Sequence, residues 1–245
     1  MNNIVLPNWP APKNVKAFGS TRLGGASTGV YQGLNLGMHV NDDSNIVQAN
    51  RDEIVQLHNM PTSPVWLNQT HSTKVVELFK PTQQVLDADG SITSHNKIVC
   101  AVMTADCLPV LLTNTDGTQV AAVHAGWRGL ADGILENAVQ QFTKPSQVMA
   151  WLGPAIGPSA FEVGEDVYQT FTQHDSHAQD AFIQHPSHSN KWLADMSILA
   201  TQRLNQAGIE QVFASQRCTF SEPENFYSYR RDGVTGRQAT FIWIE

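Results

Sequence analysis

Apolar positions along this chain fall in short blocks, and the spacing within each block decides which element it predicts. In residues 44–59, Val47, Ile54 and Leu57 fall near one face of a helix, and Ser44 is placed to cap its start. Residues 65–67 and 75–78 read as short strands on either side of Asn68-Gln69-Thr70-His71-Ser72, which puts His71 in a tight connection beside a sheet. The middle third predicts core sheet, because residues 98–103, 108–113 and 120–124 are closely spaced apolar runs of strand length. Thr104-Ala105-Asp106-Cys107 separates the first two, so Cys107 stands where one strand ends and the next begins. Leu130, Ile134, Ala138 and Phe142 then recur at helical spacing and predict a helix over 129–142. Residues 148–152 follow as a strand, 192–207 as a helix with Gly208 at its C-terminal cap, and 212–214 and 239–244 as closing strands. Strands and helices interleave without a strict βαβ alternation, which points to a mixed-sheet architecture. With no linker-like run and no internal repeat, residues 1–245 read as one domain.

Composition narrows the partners. A hydrophobic fraction of 41% and a charged fraction of 15% are those of an ordinary globular chain. Lys and Arg total 15 against 22 Asp and Glu, a formal charge of −7. That excess repels phosphate backbones and argues against nucleic acid or an anionic membrane as partner. A small anionic substrate stays open, since a local Arg cluster can outweigh the global sign. The N-terminus lacks a basic start and a long apolar stretch, so no signal peptide is expected. Cys100, Cys107 and Cys218 show no framework spacing, which fits a cytoplasmic chain with thiols buried, metal-bound or catalytic. The oligomeric state stays open, a monomer included.

Several motifs lack their context. Gly25-Ala26-Ser27-Thr28-Gly29 has the letters of the serine-hydrolase elbow, but the Gly-rich stretch after it is unsuited to a helix and predicts a turn. The tract 173–190 carries His174, His177, His185 and His188 among polar residues. A metal-binding tract is one reading; a solvated loop is the reading adopted, for want of the regular spacing a closed site needs. Chemistry concentrates instead at His71, Cys107 and His124, all at strand ends or short connections. One soft thiolate and two imidazoles suit zinc, with copper as the alternative, and three protein ligands leave a coordination position open.

Asn68-Gln69-Thr70-His71-Ser72, Thr104-Ala105-Asp106-Cys107-Leu108-Pro109-Val110 and Ala122-Val123-His124-Ala125-Gly126-Trp127-Arg128-Gly129 resemble the signature blocks of the YfiH-like laccase-domain family, the multicopper polyphenol oxidase or purine nucleoside phosphorylase group. Further blocks, including Ser228-Tyr229-Arg230-Arg231-Asp232-Gly233-Val234-Thr235-Gly236-Arg237, extend the resemblance over nearly the whole chain. Ala160 departs from it, since many relatives carry Cys there. The resemblance implies an α+β fold, one domain of mixed sheets packed together and flanked by helices, with zinc held by His71, Cys107 and His124. It implies cleavage of adenosine, inosine and S-methyl-5′-thioadenosine by phosphate, with deamination of adenosine as a second activity. Asn35 and Arg51 match positions the family uses around substrate, and Arg51 is assigned to phosphate, which a guanidinium grips by two oxygens. Asp106, beside Cys107, is assigned to orienting a ligand or moving a proton. Two alternatives stay open: a copper oxidase with Met103 as a weak axial ligand, and a cysteine amidase editing peptidoglycan precursors, with Cys107 activated by His124.

Overall fold

The computed structural model describes residues 4–245. Its strands sort into two main sheets by the face each one buries. One is a six-stranded mixed sheet in the order Gln211–Ala214, Val148–Leu152, Leu108–Asn114, Val120–Ala125, Gly90–Thr93, Val75–Glu77, parallel at its two outer pairs and antiparallel between them. The other is antiparallel, in the order Ile4–Val5, Val15–Ser20, Gln238–Ile244, Cys100–Thr104.

Side-chain alternation assigns the layers. Along Leu108–Asn114, Leu111 enters a cluster with Val120, Ala122 and Trp151 of the same sheet and Val102, Ile242 and Ile244 of the other. The two sheets therefore pack face to face. Leu108, Val110 and Leu112 point the opposite way and pack with Leu130, Ile134, Leu199 and Leu204. These come from the helices Trp127–Ala131, Ile134–Val139 and Met196–Gln206. On the far side of the antiparallel sheet, Phe18, Ala101 and Phe241 meet Ile54 of the helix Ser44–Leu57. The fold is α+β, with helices flanking two packed sheets, as the apolar pattern and the resemblance imply.

Four local expectations change. The first helix is capped by Asp43, whose carboxylate accepts the Asn45 N–H at 2.8 Å, so Ser44 is its first helical residue. Val65 makes an isolated bridge to Cys100, and the strand there is Leu67–Asn68. The helix expected over 129–142 is two short ones, broken where Gly133 takes φ +95°, a left-handed value that glycine adopts without strain. Leu130, Ile134 and Ala138 are buried on both sides of that break, so periodicity alone could not reveal it. At 192–207 the helix is Met196–Gln206, while Lys191–Ala194 is a strand. Asp195 stops the strand and caps the helix by accepting from Ser197 and Ile198 N–H. Gly208 follows that helix at φ +88°, the left-handed cap expected of it.

The tract 173–190 is more ordered than a solvated loop. It holds the end of the helix Glu165–His174, a 3-10 turn Ser176–Ala181 and the strand Phe182–Gln184, which joins Lys191–Ala194 and Glu162–Gly164 in a three-stranded sheet. The strands Val15–Ser20 and Gly90–Thr93 have no clear apolar run in sequence; their burial comes from being covered on both faces. Among the described residues no helix is long and apolar enough to cross a membrane.

Leu111 is fully buried between the sheets. Leu111→Ala is expected to cost about 2–5 kcal/mol, the transfer free energy plus an unfilled cavity. Urea unfolding measures this, and a loss below about 1 kcal/mol would contradict face-to-face packing at this position.

Candidate metal centre

Cys107 stands where the chain crosses from one sheet to the other, between Cys100–Thr104 and Leu108–Asn114. The crossing is tight, and Asp106 takes φ +94° within it. Its carboxylate accepts the Thr219 hydroxyl at 2.6 Å and the Arg230 N–H at 2.7 Å, tying the C-terminal segment to the crossing. His124 lies near the end of the neighbouring strand, opposite Pro109 in a ladder that pairs Leu108 with Ala125. His71 arrives from a loop and takes φ +62°.

Asp89 joins these parts. It is fully buried and immediately precedes the strand Gly90–Thr93, which pairs with Val120–Ala125. One carboxylate oxygen accepts His124 Nδ1–H at 2.8 Å and His71 N–H at 3.0 Å. The other accepts Thr70 N–H at 3.1 Å, and Ser72 N–H and Oγ–H at 2.7 Å each. Burial alone would raise this carboxyl's pKa, but the bonds from His124 and Ser72 outweigh it and hold the group well below the usual carboxylate range.

With Nδ1 engaged by Asp89, His124 is left with Nε2 as its ligand atom. His71 Nε2 lies 3.7 Å from Cys107 Sγ, the two imidazole rings are 4.8 Å apart at 77°, and the three ligand atoms all lie within 4.8 Å of one another. Tetrahedral zinc, with its usual bond lengths to nitrogen and sulfur, sets those donors about 3.6 Å apart. The donor set fits zinc in both chemistry and spacing. Burial would raise the Cys107 thiol, yet the charge of His124 and hydrogen bonds with His124 and His71 draw its pKa down. His124 moves up in response: burial opposes protonation, and the thiolate and Asp89 override it. These surroundings favour the thiolate of Cys107, the form a metal binds.

A cavity of about 290 Å³ opens over this centre, walled by His39, Gln69, Met103, Tyr229 and Arg237 beside the three ligands. Gln69 is fixed by paired hydrogen bonds to the Met103 backbone at 2.8 Å. Arg237 is half-buried, its Nη1 bonding the Thr235 and Gly236 carbonyls at 3.0 and 2.9 Å. Burial lowers the Arg237 pKa, against the opposing pull of Cys107 and Asp106.

A family model described as multi-copper polyphenol oxidoreductase laccase matches residues 16–245. The chain belongs to this laccase family. Its relatives span it end to end. A Shigella flexneri protein named purine nucleoside phosphorylase YfiH is 51% identical over all of both chains, and its Escherichia coli K12 counterpart is 50% identical over the same span. A crystal structure of a Neisseria meningitidis protein superposes with a TM-score of 0.94 at 47% identity, covering all of both chains.

Within this laccase-family chain, the residues assigned from sequence sit at different depths. His71, Cys107 and His124 come together at the cavity. Arg51 stands behind its wall: Nε and Nη2 bond the Leu36 carbonyl at 2.9 and 2.7 Å, and the guanidinium lies 3.9 Å over the Trp66 ring. Burial brings its pKa down to about 10. Asn35 is fully buried; its Oδ1 accepts Arg237 N–H at 2.9 Å and Gly37 N–H at 3.0 Å, while Nδ2 donates to Asp42. It thus holds the backbone of the arginine that does line the cavity. Asp89 and the cavity residues His39, Gln69, Tyr229 and Arg237 had no role assigned from sequence. A metal-ligating histidine ordinarily needs a carboxylate on its other nitrogen, and Asp89, next to Gly90 ahead of a strand, could have been sought on that ground.

Gly126 lets the loop close. A Cβ there would lie 2.5 Å from His71 Cδ2 and 3.4 Å from Cys107 Sγ. Gly126→Ala is expected to push His71 out of the donor set and weaken any metal binding there by at least roughly tenfold. A competition titration against a zinc chelator reads this, and an unchanged affinity would show that His71 does not bind from this position.

Proposed function

We propose that this chain is a zinc-dependent purine nucleoside phosphorylase, cleaving adenosine, inosine and S-methyl-5′-thioadenosine with phosphate to free base and sugar 1-phosphate. The observation that carries the reading is a cysteine sulfur and two imidazoles close enough to share a zinc ion, facing a cavity that also holds a guanidinium. The phosphorylase names of relatives at about half identity over the full length support it.

Phosphorolysis breaks the bond between sugar C1′ and the base nitrogen and forms one from C1′ to a phosphate oxygen, with the electron pair leaving on the base. The reaction needs a dianion held beside a sugar that becomes cationic. Arg237 is the cavity residue suited to hold phosphate, since its Nη1 is fixed by its own backbone and the remaining N–H groups can grip oxygen. Arg51 reinforces the positive field from behind, and Asn35 positions Arg237 through the backbone. His39 lines the cavity, and burial, with the charges of Arg237 and Arg51 adding to it, draws its pKa down, so it is suited to accept a hydrogen bond from the substrate. Asp106 positions the Tyr229–Arg230 segment by its bond to the Arg230 N–H. His71, Cys107 and His124 would hold the zinc, which when bound would supply Lewis acidity and favour the ionisation of water that adenosine deamination requires. Met103 Sδ lies 3.8 Å from Arg51 Nη2, which favours zinc over a copper site with an axial thioether.

One observation favours a second reading. Asp89, His124 and Cys107 form a carboxylate–imidazole–thiolate chain of the kind that activates a cysteine nucleophile, which suits the amidase alternative. His71 separates the two readings, because the metal site requires it and a Cys–His–Asp relay does not. In the phosphorylase reading, His71→Ala and Cys107→Ala each lower phosphate-dependent release of adenine or hypoxanthine by at least about 100-fold. Chelation then abolishes wild-type activity and added zinc restores it. Arg237→Ala raises KM for phosphate more than KM for nucleoside. An absence of purine release by the wild type, with muropeptide cleavage that survives chelator and His71→Ala but not Cys107→Ala, would replace this reading by the amidase.

A further inference from the structure

Two of the four histidines in the tract 173–190 meet a carboxylate from a distant part of the sequence. Glu162 lies on the strand Glu162–Gly164, paired antiparallel with Lys191–Ala194. Phe182–Gln184 pairs with the other side of that same strand, and the hairpin joining them carries His185 and His188. The hairpin is pinned by His185 N–H to the Lys191 carbonyl at 2.9 Å and by Lys191 N–H to the His188 carbonyl at 3.1 Å. This places the two imidazole rings 4.6 Å apart and His185 Nε2 3.5 Å from Glu162 Oε2. One ligand atom from each of Glu162, His185 and His188 lies within 4.8 Å of the other two, as in the Cys107 centre. The other carboxylate oxygen, Oε1, pairs with Lys191 Nζ at 3.4 Å, which leaves Oε2 turned to the imidazoles.

We propose that Glu162, His185 and His188 form a second metal site, at the surface, for a transition dication of the zinc, nickel or copper class. Two imidazole nitrogens and one carboxylate oxygen are donors these ions take, whereas magnesium and calcium prefer oxygen alone. Binding through His185 Nε2 moves the ring proton to Nδ1 and displaces the Ser187 N–H that Nδ1 accepts at 3.1 Å. That displacement, and the lack of a thiolate, make this site weaker than the one at Cys107. Its position gives it a structural role. The Glu162 and Ala160 carbonyls accept from Arg230 Nη1 at 2.9 and 3.4 Å, and Arg230 follows Tyr229 in the cavity wall. An ion joining the hairpin to Glu162 braces the strand that supports that wall. The site is independent of the phosphorylase reading.

The test is zinc content after equilibrium dialysis against free zinc, for wild type, His188→Ala, Cys107→Ala and the double variant. His188 is exposed, so its replacement leaves the fold intact, which circular dichroism checks. The expected result is loss of one ion per chain in His188→Ala relative to wild type, and the same loss between Cys107→Ala and the double variant. Equal zinc content in wild type and His188→Ala overturns the proposal, as does equal content in Cys107→Ala and the double variant.

Discussion

The buried carboxylate of Asp89 is the constraint on which the site depends. Five hydrogen bonds converge on it, from the backbone of Thr70, His71 and Ser72, the Ser72 hydroxyl and the His124 ring. A carboxylate removed from water carries a large desolvation cost, offset here because its oxygens meet donors, one of them an imidazole that can be charged. The same bonds perform two tasks. They bend the loop so that His71 adopts a left-handed backbone, and they fix which nitrogen of His124 remains for a ligand. Neither histidine would be aimed at Cys107 by its own element alone.

The two-sheet architecture supplies the third ligand. Cys107 belongs to the short crossing between sheets, and such a crossing must be tight because the strands on both sides are fully buried. Asp106 at positive φ carries the strain of the turn and engages Thr219 and Arg230, so the segment leading to Tyr229 and Arg237 is built onto the same corner. Cavity wall and candidate metal donors thus share supports, and a change at Asp106 or Asn35 reaches the site through the backbone.

The strands read from residues 98–103, 108–113 and 120–124 were legible because their covered faces are filled by continuous apolar runs, whereas Gly90–Thr93, equally buried, is built largely of small and polar residues. The three candidate donors, His71, Cys107 and His124, were legible as residue types and as family blocks, since their chemistry is rare and the loops that carry them are distinctive. Asp89 was not, because a buried acid looks like a surface acid until its donors are known. Gly133 and Asp195 show a related blindness: apolar periodicity runs through both positions, while a left-handed glycine and a capping carboxylate decide where helices break and begin. Arg51 and Arg237 illustrate a third case. Both are cations near the cavity, Arg51 buried and Arg237 half-buried, and depth separates the one that supports the wall from the one that lines it.

The most direct measurement is the zinc dissociation constant of Asp89→Asn beside wild type, with the fold checked by circular dichroism. Asparagine keeps the shape but loses the charge and one acceptor oxygen, so its NH2 must face either His71 N–H and His124 Nδ1 or the donors of Thr70 and Ser72, and the anchor common to both histidines is broken up. The expected result is affinity weakened by about 10–100-fold in a folded protein. Wild-type affinity in folded Asp89→Asn would contradict it, and would mean that the loop and the strand aim the two histidines without the carboxylate.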